Sequence, residues 1–183
     1  MKKLTFFKMN LVTKIIPVEL TLLPHEIKKN FQAVLRKKID DLIINKAFDN
    51  YGIITEIQEV KNIKYQEINE ISTAIHVIVE ILVQSYRPNI GDKIESPIKK
   101  IFNYGLFFSE KELRILVPLS KISSNWTLDK YEEDYVLKKE SCLLQKNDKI
   151  LLEIVDVRFE KNGFSCIAKF ANDNKEEKDN FPS

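Results

Sequence analysis

At Arg87-Pro88 the chain changes rhythm. Before that point run long β-branched stretches around one periodic helical segment. After it come short apolar runs separated by turn residues, the pattern of a small barrel. Two small domains, 1–88 and 89–171 with a polar tail 172–183, fit this better than one merged core. The four glycines, Gly52, Gly91, Gly105 and Gly163, stand at the inferred breaks, where a residue free to adopt positive φ serves a turn.

In the first unit Lys14 to Leu23 (KIIPVELTLL) reads as a strand, and Pro17 marks it as an edge strand or a strand start. Pro24 suits the first turn of a helix, and from His25 to Lys46 the residues Ile27, Phe31, Val34, Leu35, Leu42 and Ile43 recur at helical spacing. Lys28, Lys29, Arg36, Lys37, Asp40 and Asp41 form its solvated face. Asp49-Asn50-Tyr51-Gly52 is a turn, Ile53 to Val60 a strand with partial alternation, and Ala74 to Tyr86 a long strand rich in β-branched residues. The polar Lys61 to Ser72 between them is expected to be a protruding loop.

In the second unit, Lys93 to Phe102, Leu106 to Ser109, Leu113 to Leu119, Lys149 to Phe159 and Phe164 to Phe170 read as five strands, with Ser120 to Lys139 as a polar insertion. Five strands in this order predict an OB barrel, and the whole an α+β protein.

Chemistry narrows the function. The 29 basic and 27 acidic residues nearly cancel, and neither half is a polycation, so the chain lacks the charge of a strong autonomous nucleic-acid binder. His25 and His76 stand apart from other catalytic groups, and no phosphate loop or zinc box is present. Cys142 and Cys166 are spaced as ordinary thiols. The expectation is a non-catalytic protein without metal or cofactor. No apolar run reaches bilayer length and Met1 to Asn10 lacks a cleavage site, so an intracellular location is expected, with no membrane partner. Recognition falls to the aromatics of the first barrel turn, Phe102, Tyr104, Phe107 and Phe108. Barrels of this type stack bases on exposed aromatics, each stack contributing about 1–3 kcal/mol. Strand alternation sends Phe107 outward and Phe108 inward, the alternative being that the Ser120 to Lys139 insertion covers Phe107. Tyr104 and Phe107, with Lys99, Lys100, Lys121, Arg158 and Lys161 as phosphate contacts, are the candidate RNA-binding residues.

Several segments taken in order resemble the stalk-subunit family of RNA polymerases, which comprises the seventh-largest subunit of RNA polymerase II and its archaeal counterparts. These are LTLLPHEIKKNF (Leu20 to Phe31), DNYGIITEI (Asp49 to Ile57), VQSYRPNIGDKIESPIKKIFNYGLFF (Val83 to Phe108) and LQKNDKILLEIVDVRFEKNGFSCIAKF (Leu144 to Phe170). The resemblance implies an N-terminal docking (tip) domain that wedges against the polymerase core subunits, a smaller stalk partner subunit, and a barrel near nascent single-stranded RNA. It places core docking at Tyr51, Gly52, Asn62, Ile63, Lys64 and Tyr65. Where related RNA-binding barrels carry a histidine on the third strand, this chain has Pro118. The short, AT-biased form suits a large DNA virus, which would place the protein in host cytoplasm and virion, or a fast-evolving eukaryote, which would place it in the nucleus. Two rival expectations stand beside this one: a free-standing RNA-binding OB protein of translation or decay, and an RNA-processing enzyme with the barrel as accessory.

Overall fold

The computed structural model describes residues 11–27, 30–68, 74–131, 134–139 and 142–171. The N-terminal Met1 to Asn10, the far end of the expected tip, Lys28 and Lys29, and the tail 172–183 lie outside the described residues. One compact unit ends at Arg87 and another begins at Pro88.

The first unit runs β1 (Val12–Leu22), α1 (Pro24–Ile27), α2 (Phe31–Ile43), β2 (Ala47–Phe48), β3 (Gly52–Ile68) and β4 (Ile75–Tyr86). Its antiparallel sheet has the order β1-β4-β3-β2. Alternation in β1 and β4 sends Ile16, Val18, Leu20 and Leu22, and Val77, Val79, Ile81 and Val83, to one face, where Leu35, Ile39 and Ile43 of α2 complete the core. Each fully buried aliphatic side chain contributes about 1.5–3 kcal/mol. Pro17 lies in the edge strand β1, where its missing donor leaves no interior ladder bond unmade.

The expected single helix is in fact two. Asn30 separates them with φ 55°, a left-handed conformation that asparagine tolerates. Leu23 N–H donates to Glu26 Oε2 at 2.8 Å, and Lys38 donates to the same oxygen at 2.6 Å. These two donors hold the Glu26 carboxyl below its ordinary range, the backbone bond most.

β3 explains why its alternation looked partial. Its apolar residues Ile54, Ile57, Val60 and Ile63 recur every third position, yet they pair with Ser85, Val83, Ile81 and Val79, every second position of β4. An irregularity in the register after each of the first three absorbs the extra residue, so all four stay on the core side. Backbone groups of β3 also have partners outside β4. Ile54 N–H donates to Lys46 O and Ile54 O accepts from Asn45 N–H. Ile57 O accepts from Arg36 Nη2 at 2.7 Å.

The second unit contains β5 (Lys93–Pro97), β6 (Lys100–Phe102), β7 (Gly105–Glu110), β8 (Leu113–Pro118), β9 (Thr127–Tyr131), β10 (Asp134–Lys139), β11 (Cys142–Leu144), β12 (Lys149–Glu160) and β13 (Gly163–Phe170). Six of these form a mixed sheet, β5-β12-β13-β8-β7-β6, in which β8 and β13 run parallel. Its two edge strands are joined by only Ile98 and Lys99, so the sheet must curl until the edges approach one another. Ile98 is held there by Asp148 O and Asn147 N–H, and Lys99 N–H donates to Phe107 O. Ile94, Ile101, Leu106, Phe108, Ile115, Val117, Leu152, Ile154, Phe164, Cys166 and Ala168 are buried within this unit. The insertion after β8 makes a separate antiparallel sheet, β11-β10-β9, and Trp126 meets Phe170 edge-on at 6.0 Å.

This overturns the expected fold class. The described residues are 63% strand and 13% helix, a mostly β protein with a curled mixed sheet. It is neither a helix-containing α+β tip domain nor a five-stranded OB barrel. Three physical causes account for the difference. The helical stretch breaks at Asn30, leaving 13 residues in α2. The polar Lys61 to Ile68, expected as loop, continues β3 against β4, with irregularities in the register at Val60/Asn62 and Tyr65/Glu67. Pro97-Ile98-Lys99 breaks the expected first barrel strand in two, while the insertion supplies three strands of its own.

Cys166 faces the interior, and burial, with Asp156 and Asp92 adding to it, pushes its thiol up to about 12. It is therefore protonated as well as sheltered at pH 8, while Cys142 is exposed. A disulfide-exchange reagent at pH 8 is expected to titrate one thiol of the folded protein and the second only after unfolding. Two rapidly reacting thiols would contradict the buried position of Cys166.

Candidate nucleic-acid interface

The outer face of the curled sheet collects the residues that alternation turns away from the core. Phe107 stands at its centre, opposite Lys100 on β6 and Leu116 on β8; Ile167 on β13 and Asp156 on β12 continue the same cross-strand row. Phe107, Leu116 and Ile167 are half-buried, whereas their neighbours Phe108, Ile115 and Cys166 are buried. The next row along the strands is Ser109, Arg114, Ser165 and Arg158. An apolar strip therefore lies across β7, β8 and β13, with Lys100 at one end, Asp156 at the other, and Arg114 and Arg158 in the row beside it.

At the β6–β7 turn, the rings of Phe102 and Tyr104 stack with centroids 5.0 Å apart and planes 6° from parallel. Lys100 Nζ lies 5.2 Å from the Phe102 centroid, within cation–π range. Tyr104 is 58% exposed, so its ring presents a free face. The turn is anchored by Leu119 N–H donating to Tyr104 O at 3.1 Å, which brings the short 3₁₀ turn Leu119–Lys121, and with it Lys121, to the same end of the sheet. Gly105 makes the approach possible: a Cβ there would lie 2.4 Å from Val117 O.

Lys161 belongs to the opposite end, in the β12–β13 turn, which is tied to the β7–β8 turn by Phe164 N–H donating to Glu112 O. Arg158 lies toward that end, its Nε 3.4 Å from Asp156 Oδ2. Glu110 at the end of β7 is raised above the ordinary carboxyl range by burial, against the pull of Lys111 and Lys99. The sequence-predicted RNA set is thus spread over one sheet and its turns: Tyr104 and Lys121 at one end, Phe107 in the middle with Lys100 opposite it and the Lys99 N–H on its carbonyl, Arg158 and Lys161 at the other end. Arg114, Leu116 and Ile167 were missed. Strand parity would have paired them with Phe107 had the register been known.

The predicted docking positions lie in the first unit. Tyr51 and Ile63 pack against its hydrophobic core. Gly52 is in the left-handed region at φ 87°. Asn62 and Lys64 project beside Glu80 on the neighbouring strand, at 3.5 and 2.6 Å. Lys64, with Asn62, holds the Glu80 carboxyl below its ordinary range. The Tyr65 side chain is outside the described residues. Of the histidines, His76 Nδ1 lies 3.2 Å from Thr21 Oγ1, and His25 is exposed in α1. No cluster of three metal-ligating side chains occurs among the described residues, and no helix there is long and apolar enough to cross a membrane.

No protein-family model and no curated protein matches the chain. Among solved structures it is similar to an uncharacterized protein of Methanocaldococcus jannaschii, 21% identical, covering 47% of this chain and 96% of that one, with a TM-score of 0.33. A likeness at this level assigns neither fold nor function.

Proposed function

We propose that this protein is a non-catalytic stalk subunit of a DNA-directed RNA polymerase, acting in transcription by binding rather than by turnover. In this reading the unit ending at Arg87 docks on the polymerase core subunits beside a smaller stalk partner, and the outer face of the curled sheet meets nascent single-stranded RNA. The observation that carries it is the outward Phe107, set in an apolar strip with Lys100 opposite and the stacked Phe102–Tyr104 pair at the adjacent turn. Aromatic faces beside cations suit unpaired bases, because every base offers a π-face and every nucleotide a phosphate. The four collinear segments that resemble the stalk-subunit family support the polymerase assignment.

Phe107→Ala is expected to weaken binding of a 12-nucleotide oligouridylate by roughly 5- to 150-fold in a filter-binding assay, the equivalent of one lost stack of about 1–3 kcal/mol. Equal binding by both proteins would remove RNA from the proposal.

A further inference from the structure

We propose that Arg114, Ser165 and Arg158 form a phosphate-binding clamp on the outer face of the curled sheet; the proposal rests on the RNA-contacting reading above and deepens it. In the register, Arg114 lies opposite Ser165 and Ser165 opposite Arg158. All three therefore share the face of Phe107, with the arginines two strand spacings apart, about 10 Å between their Cα atoms. A hydroxyl stands between two guanidinium-bearing side chains, and each guanidinium presents the planar fork that matches phosphate oxygens.

The arrangement of charge points outward. Cross-strand neighbours stabilise a sheet when their charges are opposite, yet the row Ser109–Arg114–Ser165–Arg158 holds two cations and no carboxylate. Arg114 is exposed and has no ion pair with a described residue. Asp156, one row back on β12, lies 3.4 Å from Arg158 Nε and partners that guanidinium, whereas Arg114 has no such carboxylate among the described residues. Glu160 lies beyond Arg158 on the same strand, so the carboxylates of β12 flank the row rather than interrupt it. The arginine row lies about 7 Å along the strands from the Phe107 row. A nucleotide whose base rests on Phe107 thus has cations within reach of its phosphate.

Two measurements on the full chain decide this. In the first, inorganic pyrophosphate is titrated into 15N-labelled protein while the arginine Nε–H signals are followed. The signals of Arg114 and Arg158 are expected to move together and saturate, while those of Arg36 and Arg87 stay put. Uniform, non-saturating shifts would overturn the clamp whatever RNA does. In the second, the 12-nucleotide oligouridylate is bound at several salt concentrations. Arg114→Gln and Arg158→Gln should each reduce the slope of log K against log salt by about 0.7, the value for one phosphate contact on a single strand, and Arg114→Lys should keep most of the slope. An unchanged slope in both glutamine variants, with binding still dependent on Phe107, sinks the clamp and spares the RNA reading. Saturating pyrophosphate shifts without any RNA binding by the wild type would leave the anion site standing and reject the RNA reading instead.

Discussion

Gly52→Ala is expected to destabilise the first unit by about 2–5 kcal/mol, a large share of the total stability of a domain of this size. Two effects add. At φ 87° an L side chain occupies a region that costs about 1–2 kcal/mol. The new Cβ would also stand 2.5 Å from Tyr86 O and 2.8 Å from Tyr86 C, backbone atoms that cannot swing aside. Relieving that overlap forces β3 away from β4 where the two strands begin to pair, at a typical overpacking cost of about 1–3 kcal/mol. Urea unfolding followed by circular dichroism checks this, with Trp126 fluorescence reporting the other unit. A variant that unfolds at the wild-type midpoint would contradict the close approach of Gly52 to Tyr86. The family resemblance places Gly52 among the docking positions, and its conformation supplies a structural reason for glycine there.

Phe108→Ala is expected to cost about 3–5 kcal/mol, while Phe107→Ala, one residue away, should cost far less. Phe108 is fully buried, and its truncation opens a cavity lined by neighbours that strand pairing holds in place. Phe107 lies on the outer face, half-buried, so its removal leaves no enclosed void. Chemical denaturation of both variants, read by Trp126 fluorescence, measures the contrast. Similar losses in the two would mean that Phe107 is part of a core and that the proposed stacking surface is misplaced.

How much of this was legible before the structure depended on whether the signal was local. Strand parity is local, and it oriented Phe107 and Phe108 as the structure has them. The turns at Gly52, Gly91 and Gly105 were legible for the same reason, since positive φ favours glycine. The β3 strand beyond Val60 was not legible, because the three-residue apolar period of Ile54, Ile57, Val60 and Ile63 makes sense only against the two-residue period of β4, and the polar residues after Ile63 show no strand signal without that partner. The fold class failed on long-range facts: the edge-to-edge link through Ile98 and Lys99, the parallel pairing of β8 with β13, and the self-contained sheet of the insertion. The helix was overextended because the apolar spacing from Ile27 to Phe31 carries no mark of the left-handed backbone at Asn30, which caps the start of α2.

The site divides along the same line. Phe107 and Tyr104 could be named from composition and alternation. The row that joins Arg114 to Arg158 could not, because those residues are 44 positions apart and meet only through Ser165 on the strand between them.

What the proposal asserts above all is that the chain works inside a polymerase. Affinity purification of a tagged copy from the cells that express it, followed by mass spectrometry, addresses that directly. The account predicts that the two largest subunits of a DNA-directed RNA polymerase are recovered in near-stoichiometric yield together with a small stalk partner. Recovery of the protein alone, or with translation or RNA-decay factors and no polymerase subunit, would contradict it.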